Sequence, residues 1–304
     1  MTSTAAVIGA GTIGRSFARL FAASGHPVRV WDPRDDLAEV VAGIRADVAA
    51  DLADRPGQTG GEIESADTLE EAVASAGFVQ ESGPEDPVEK PRLFARLAEA
   101  APAQAVLATS SSTIPASLIA SDLPDAVAAR IIVGHPFNPP HLMPLVEVVP
   151  SLRTSADTVA AAVAFYRSCG REPVVLRREV RGFVGNRLQN ALMKEAVALV
   201  ENGVVTAAEL DAVMRNSLGL RWAAVGQFAG MHLGGGSAGI RGFMHHIGPS
   251  FAAIDPLPLD LGDEAMEQVY AQVEDAYGTT PSAAAAAERD RIQRAVLQAR
   301  GQAD

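Results

Sequence analysis

His135 and Glu147 stand twelve residues apart in IVGHPFNPPHLMPLVEVVP, residues 132–150, and their types suggest acid–base chemistry. An imidazole held by a carboxylate is the usual general base for taking a proton from an alcohol. Apolar, β-branched runs flank the loop between them. Pro139, Pro140 and Pro144 cannot continue a helix and bias the residues before them towards extended conformations. A rigid return of this kind would lay the second run beside the first and bring the carboxylate to the imidazole. The plain alternative at this spacing is a satisfied strand-end histidine and a surface glutamate, so the rest of the chain has to decide.

Positioning such a pair requires a sheet, and the first half of the chain reads as one. Ala5 to Ile8 is a short apolar run that leads into Gly9-Ala10-Gly11-Thr12-Ile13-Gly14, a G-x-G-x-x-G pattern. Ile13, Phe17, Leu20 and Phe21 recur at helical spacing until Gly25, and Pro27 to Trp31 reads as a second strand ended by Asp32. Glycines at these places allow a tight turn and close approach of a pyrophosphate to a helix N-terminus, and the acid can accept from a ribose hydroxyl. Gly9, Gly11, Thr12, Ile13, Gly14 and Asp32 are therefore the expected dinucleotide-binding residues. Asp32 favours NAD, because a 2′-phosphate would meet a carboxylate, while Arg34 keeps NADP open.

Further along, Leu37 to Leu52 and Leu69 to Ser75 read as helices, separated by a loop from Pro56 to Gly61, and Phe78-Val79 opens a strand. A turn at GPEDP precedes a helix burying Leu93, Phe94 and Leu97. Ala105 to Ala108 is the next strand, and it empties into Thr109-Ser110-Ser111-Ser112-Thr113. A hydroxyl-rich loop at the carboxyl end of such a strand is where α/β sheets bind ligands, although one of these side chains can equally cap a helix before Pro115. Ile131 to Gly134 would be the following strand. The alternation predicts an N-terminal Rossmann-type, doubly wound, largely parallel sheet over residues 1–181. The polar loop, the histidine and the glycine turn should share one edge.

After a helix at Ser155 to Cys169 and a strand at Glu172 to Leu176, no alternation remains. A long helix from about Phe183 to Glu201, a capping box at Thr206–Glu209, and helical segments at Met266–Tyr277 and Ala283–Arg300 predict an all-α domain over residues 182–304. The last segment could instead be a frayed tail. His245-His246 gives no metal site, since adjacent residues point apart on a helix and no acid or cysteine stands at ligand spacing.

The 304 residues are 48% hydrophobic and 20% charged, which is ordinary for a soluble protein with room for two domains. With 37 acidic against 25 basic residues, a nucleic-acid or anionic-membrane surface is not expected. Lys90 and Lys194 are the only lysines. Cys169 is the only cysteine, so no intrachain disulfide forms and a reducing compartment fits. Lacking a secretion-like N-terminus, or a run of roughly 18 apolar residues, the chain is expected in the cytoplasm.

With GHPFNPP, PLVEVVP and RGFVGNRLQNAL assembled, the chain resembles the 3-hydroxyacyl-CoA dehydrogenase family from the glycine motif to about Leu233. Within it, the likeness is nearest to the branch of lambda-crystallin, also known as L-gulonate 3-dehydrogenase. The resemblance implies that His135 is the base, Glu147 its orienter, and Ser112 and Asn186 hydrogen-bond partners of the substrate. It also implies that Glu85 and Lys90 contact the nicotinamide side of NAD, that Arg221 in SLGLRWAAVGQF grips a substrate carboxylate, and that the protein is a homodimer. Arg221 could instead be a helix-end arginine satisfied by carbonyls or by Asp211.

One departure stands out. Acyl-CoA-utilising members carry a lysine-rich helix after the second strand, whereas residues 37–61 here contain no lysine and only Arg45 and Arg55 as basic groups. The expected activity is thus hydride transfer between NAD and the hydroxyl-bearing carbon of a small 3-hydroxy acid or sugar acid. A dehydrogenase of CoA- or carrier-bound 3-hydroxyacyl groups is the alternative. In another class, a catalytically silent crystallin-like or NAD-sensing protein is also open.

Overall fold

A computed structural model describes residues 3–53 and 57–301. The chain divides into two compact units, Met1–Arg187 and Leu188–Asp304. In the first unit the described residues form an eight-stranded sheet: β1 (Ala5–Ile8), β2 (Val28–Trp31), β3 (Ile63–Ser65), β4 (Phe78–Glu81), β5 (Val106–Thr109), β6 (Ile131–Pro136), β7 (Leu145–Pro150) and β8 (Glu172–Val175). Their order across the sheet is β3-β2-β1-β4-β5-β6-β7-β8. Pairing is parallel from β3 through to β6 and between β7 and β8; β6 and β7 are antiparallel. That reversal is the proline loop. It sets His135 directly opposite Glu147 in the register.

The sheet is buried on both faces because alternate residues point to opposite sides. Val7, Val28, Val30, Phe78, Ile132 and Val148 pack on one face with Phe17 and Phe21 of the helix Thr12–Ala23 and with Phe165 and Tyr166 of the helix Ala156–Ser168. Ile8, Val79, Leu107, Ile131, Val133 and Val149 pack on the other with Leu69, Phe94, Leu97 and Phe183. Burial of each such large side chain contributes about 1.5–3 kcal/mol, so the strands need little intrinsic propensity to stay in place.

The structure departs from the sequence reading in several elements. β3 lies inside what reads as connection, because only Ile63 of its three residues is buried and no alternation can show. β5 runs one residue further than expected and draws Thr109 into the interior, and β6 extends through His135. The long helix starts at Gly185, not Phe183, since Gly182 and Phe183 both take positive φ, 78° and 48°.

The regular elements among the described residues of the second unit are all helices. The Thr206–Glu209 capping box forms in both directions, as its pattern predicts. Ala283–Ala299 is a helix capped by Ser282 with no buried residue, so alanine propensity and the cap, not packing, account for it. The core of this unit is small: Val197, Val200 and Val269, with Val205, Leu210 and Met266 against them.

Candidate active site

The six parallel strands of the first unit, from β3 through to β6, end at one edge, and the expected site residues of that unit gather there. β1 runs into the glycine turn. Gly9 has φ +97°, open to glycine but strained for an L side chain, and a Cβ on Gly14 would lie 1.8 Å from the Gly9 carbonyl oxygen. A Cβ on Gly11, by contrast, would meet no atom within 4 Å. The turn is closed by protein at Gly9 and Gly14 and left open at Gly11, at the start of the helix Thr12–Ala23. That is the shape a pyrophosphate needs. At the end of β2 the Asp32 carboxylate accepts from the Ala10 backbone N–H (2.6 Å), which holds the acid against the same turn. The residues present therefore fit NAD. Arg34, the residue that could have served a 2′-phosphate, is instead forked onto Asp36, with Nη2 at 2.8 Å from Oδ2. We expect Asp32→Ala to weaken NAD binding and to narrow its preference over NADP, measured as dissociation constants for both. A wild type that prefers NADP would refute this.

β5 ends in the hydroxyl-rich loop, and the structure distributes its hydroxyls. Thr109 donates to Glu81 (2.6 Å). Ser110 is bound by Gln80 and Ser82, each at 2.8 Å. Ser111 donates to Glu85 (2.6 Å) and accepts from the Ile114 N–H, and Thr113 donates to Glu85 (2.9 Å). Only the half-buried Ser112 hydroxyl has no hydrogen-bond partner among the described residues. Its backbone N–H, like that of Thr113, is held by Glu85. Burial opposes charge on Glu85, but the hydrogen bonds from Ser111 and Thr113, with Lys90 nearby, hold its carboxyl below the ordinary value.

On β6 and β7 the His135 Nδ1 and Glu147 Oε2 lie 2.8 Å apart, and both residues are buried. The other oxygen of Glu147 accepts from the backbone N–H groups of Val184 (2.9 Å) and Gly185 (3.0 Å), where the helix Gly185–Glu201 begins. Two unpaired amides at a helix start carry partial positive charge and suit a carboxylate. Burial works against ionisation of Glu147, yet the hydrogen bonds from His135, Gly185 and Val184 outweigh it and hold its pKa below the usual carboxylate range. An ionised Glu147 takes the Nδ1–H, so neutral His135 presents the Nε2 lone pair, and Nε2 has no partner among the described residues. Phe137 and Phe183 flank the ring with centroids 5.8 and 5.4 Å away. Gly185 lets the helix start come this close, since a Cβ there would lie 2.3 Å from the Phe137 ring. Asn186 follows directly, half-buried, its amide without a partner among the described residues.

Other residues sit differently from the simplest expectation. Lys90 is 2% exposed and bound by both oxygens of Glu81 at 2.8 Å, while its nitrogen lies 4.0 Å from Glu85. Glu81 carried no expected role, although a Gln-Glu pair closing an apolar strand is the kind of buried polar signal that calls for one. Arg45 spends its guanidinium on the Ile63 carbonyl, and Arg55 lies outside the described residues. In the second unit Arg221 is exposed on the helix Leu218–Ala224 and makes no ion pair among the described residues; Asp211 accepts instead from the Tyr277 hydroxyl (2.6 Å).

Residues 4–180 match the family model for the 3-hydroxyacyl-CoA dehydrogenase NAD binding domain, and residues 182–298 match that for the 3-hydroxyacyl-CoA dehydrogenase C-terminal domain. An L-carnitine dehydrogenase of Streptomyces griseus is 40% identical, covering 97% of this chain and 89% of its own. A 3-hydroxyacyl-CoA dehydrogenase of Gibberella moniliformis is 39% identical over 81% of this chain and 78% of its own. Among solved structures, an NAD-dependent 5-formyl-3-hydroxy-2-methylpyridine 4-carboxylic acid 5-dehydrogenase superposes with TM-score 0.82 at 25% identity, covering 99% of both chains.

Proposed function

The chain belongs to the 3-hydroxyacyl-CoA dehydrogenase family and is an NAD-dependent 3-hydroxyacid dehydrogenase, and on that premise we propose that it oxidises a small free 3-hydroxy acid of the L-carnitine type. The observation that carries the chemistry is the buried His135–Glu147 pair with Nε2 unengaged. His135 takes the hydroxyl proton at Nε2, and Glu147 holds the ring in the tautomer that allows it. Ser112 and Asn186 donate to the substrate oxygen as it becomes a carbonyl. NAD, when bound, would supply the hydride acceptor; Gly9, Gly11, Thr12, Ile13, Gly14 and Asp32 would hold it, with Glu85 assigned to its nicotinamide side and the buried Lys90 acting there through Glu85.

A free acid is favoured over a thioester on two grounds. Residues 37–61 offer no lysine for CoA phosphates, and L-carnitine dehydrogenases similar to this chain are named for a free 3-hydroxy acid. Arg221 is our assignment for the substrate carboxylate, which a guanidinium can grip with two parallel bonds. Cytoplasmic location fits the lone buried thiol, whose pKa burial pushes up to about 11. A homodimer is supported by Leu220, Phe228, Leu233 and Phe251, which are all exposed on the helical unit, and a sedimentation mass of one chain would refute it.

The test is NADH formation with L-carnitine, 3-hydroxybutyrate, L-gulonate and 3-hydroxybutyryl-CoA, run on wild type and on Arg221→Met. Wild type should favour a free acid, L-carnitine first, and the variant should raise KM for it by about 10-fold or more with NAD affinity unchanged, as loss of a charged hydrogen-bond pair does. Preference for the thioester would sink the free-acid reading; an Arg221→Met enzyme equal to wild type would make that arginine structural.

A further inference from the structure

Glu81 is fully buried at the end of β4 and takes no part in the chemistry above. Its side chain nevertheless accepts from Lys90 at both oxygens (2.8 Å each), from the Thr109 hydroxyl (2.6 Å) and from the Gly83 N–H (2.7 Å). A buried salt bridge is weak as a source of stability, because desolvation of both charges offsets their attraction, so its geometry is the better guide to its use. The three donor residues lead in two directions. Gly83 and Ser82 form the backbone against which the glycine turn closes: a Cβ on Gly9 would lie 2.7 Å from the Ser82 carbonyl oxygen. Thr109 roots the serine loop and accepts in turn from the Ser111 N–H (3.1 Å), while the Glu81 carbonyl accepts from the Ser110 N–H (2.8 Å). Lys90 stands between, within 4.0 Å of Glu85, which holds the Ser112 and Thr113 amides.

We propose that Glu81 is a positioning residue that fixes the spacing between the dinucleotide cradle and the Ser112 hydroxyl, acting through Gly83 on one side and through Thr109 and Lys90–Glu85 on the other. This rests on the reading of the cradle and of Ser112 given above. Glu81 touches neither substrate nor cofactor. Its contribution is that the loops after β1 and β5, on either side of β4, cannot drift apart by the fraction of an ångström that hydride transfer would feel.

The experiment compares wild type, Glu81→Gln and the double variant Glu81→Gln/Lys90→Met, which removes both buried charges and keeps the protein testable if the single change unfolds it. Amide hydrogen exchange over residues 110–114 should be at least about 10-fold faster in the double variant, with β1 and β5 amides unchanged, as expected of a local opening. On the 3-hydroxy acid that wild type oxidises best, kcat should fall about 10- to 100-fold in both variants, and in Glu81→Gln NAD affinity should stay within about threefold, as mispositioning without loss of a reacting group does. The deuterium isotope effect from a 3-deuterated substrate should rise. Unchanged exchange of the serine loop overturns the proposal whatever the activity. So does wild-type kcat in the double variant. Should wild type oxidise none of the acids while the loop still loosens in the variant, the functional reading fails and the positioning of the loop by Glu81 stands.

Discussion

Replacing His135 with alanine is expected to lower kcat by at least about 10²-fold, and up to about 10⁴-fold, the range for loss of a general base. NAD affinity should stay near wild type, because the imidazole is held by Glu147 and flanked by Phe137 and Phe183, while the glycine turn and Asp32 lie on β1 and β2. The substitution removes a buried ring, so some stability goes with it. A melting curve must therefore accompany the kinetics, and His135→Gln provides a bulkier control. The distinguishing sign is that kcat and kcat/KM fall together, since an interaction made only as the proton moves has been removed. A folded His135→Ala enzyme that turns over within threefold of wild type would end the assignment of His135 as the base.

The pairing of His135 with Glu147 was readable from the sequence because its geometry is local. Two strands joined by a short proline-rich loop leave few registers, and the one adopted brings His135 opposite Glu147. The dinucleotide turn was readable for the same reason, its parts being contiguous. What stayed hidden depends on contacts between distant segments. That Val184 and Gly185 donate to Glu147 follows from a turn in which Phe183 takes φ +48°, and no residue preference announces such a conformation for phenylalanine. The choice of Ser112 over its neighbours shows a different limit. Motif likeness singled it out, whereas the physical reason, that Ser110 and Ser111 are already engaged by Gln80, Ser82 and Glu85, exists only once β4 and β5 are side by side. Lys90 is expected, by resemblance, to contact the nicotinamide side of NAD. Glu81 captures it because strand and helix meet within a nine-residue span.

Glu147→Gln is expected to cost nearly as much as loss of the histidine, although it changes two atoms and no volume. The carboxylate serves two kinds of donor at once: His135 Nδ1–H at one oxygen, and the Val184 and Gly185 amides at the other. Glutamine has one carbonyl oxygen to divide between them. If that oxygen faces the two amides, the side-chain NH₂ points at Nδ1, which must then accept, and the ring proton moves to Nε2. The base is then in the wrong tautomer, and a loss of about 10³- to 10⁴-fold follows, as for a triad carboxylate exchanged for its amide. If the oxygen faces Nδ1, an NH₂ confronts two backbone N–H groups in a buried site, and an unsatisfied set of donors costs about 1–3 kcal/mol of stability.

The two outcomes separate by experiment: the first leaves the melting temperature near wild type with kcat collapsed, the second lowers it. The same hydrogen bonds give a pH signature. Because the folded-state pKa of Glu147 is depressed, its contribution to stability is present in full above the unfolded value near about 4.3, and is lost as pH falls through the folded value. The glutamine variant should lack that acid-side loss, so the gap in stability between the two proteins should close on acidification. A variant that keeps wild-type turnover at neutral pH, with wild-type stability, would show that Glu147 neither sets the tautomer nor holds the ring.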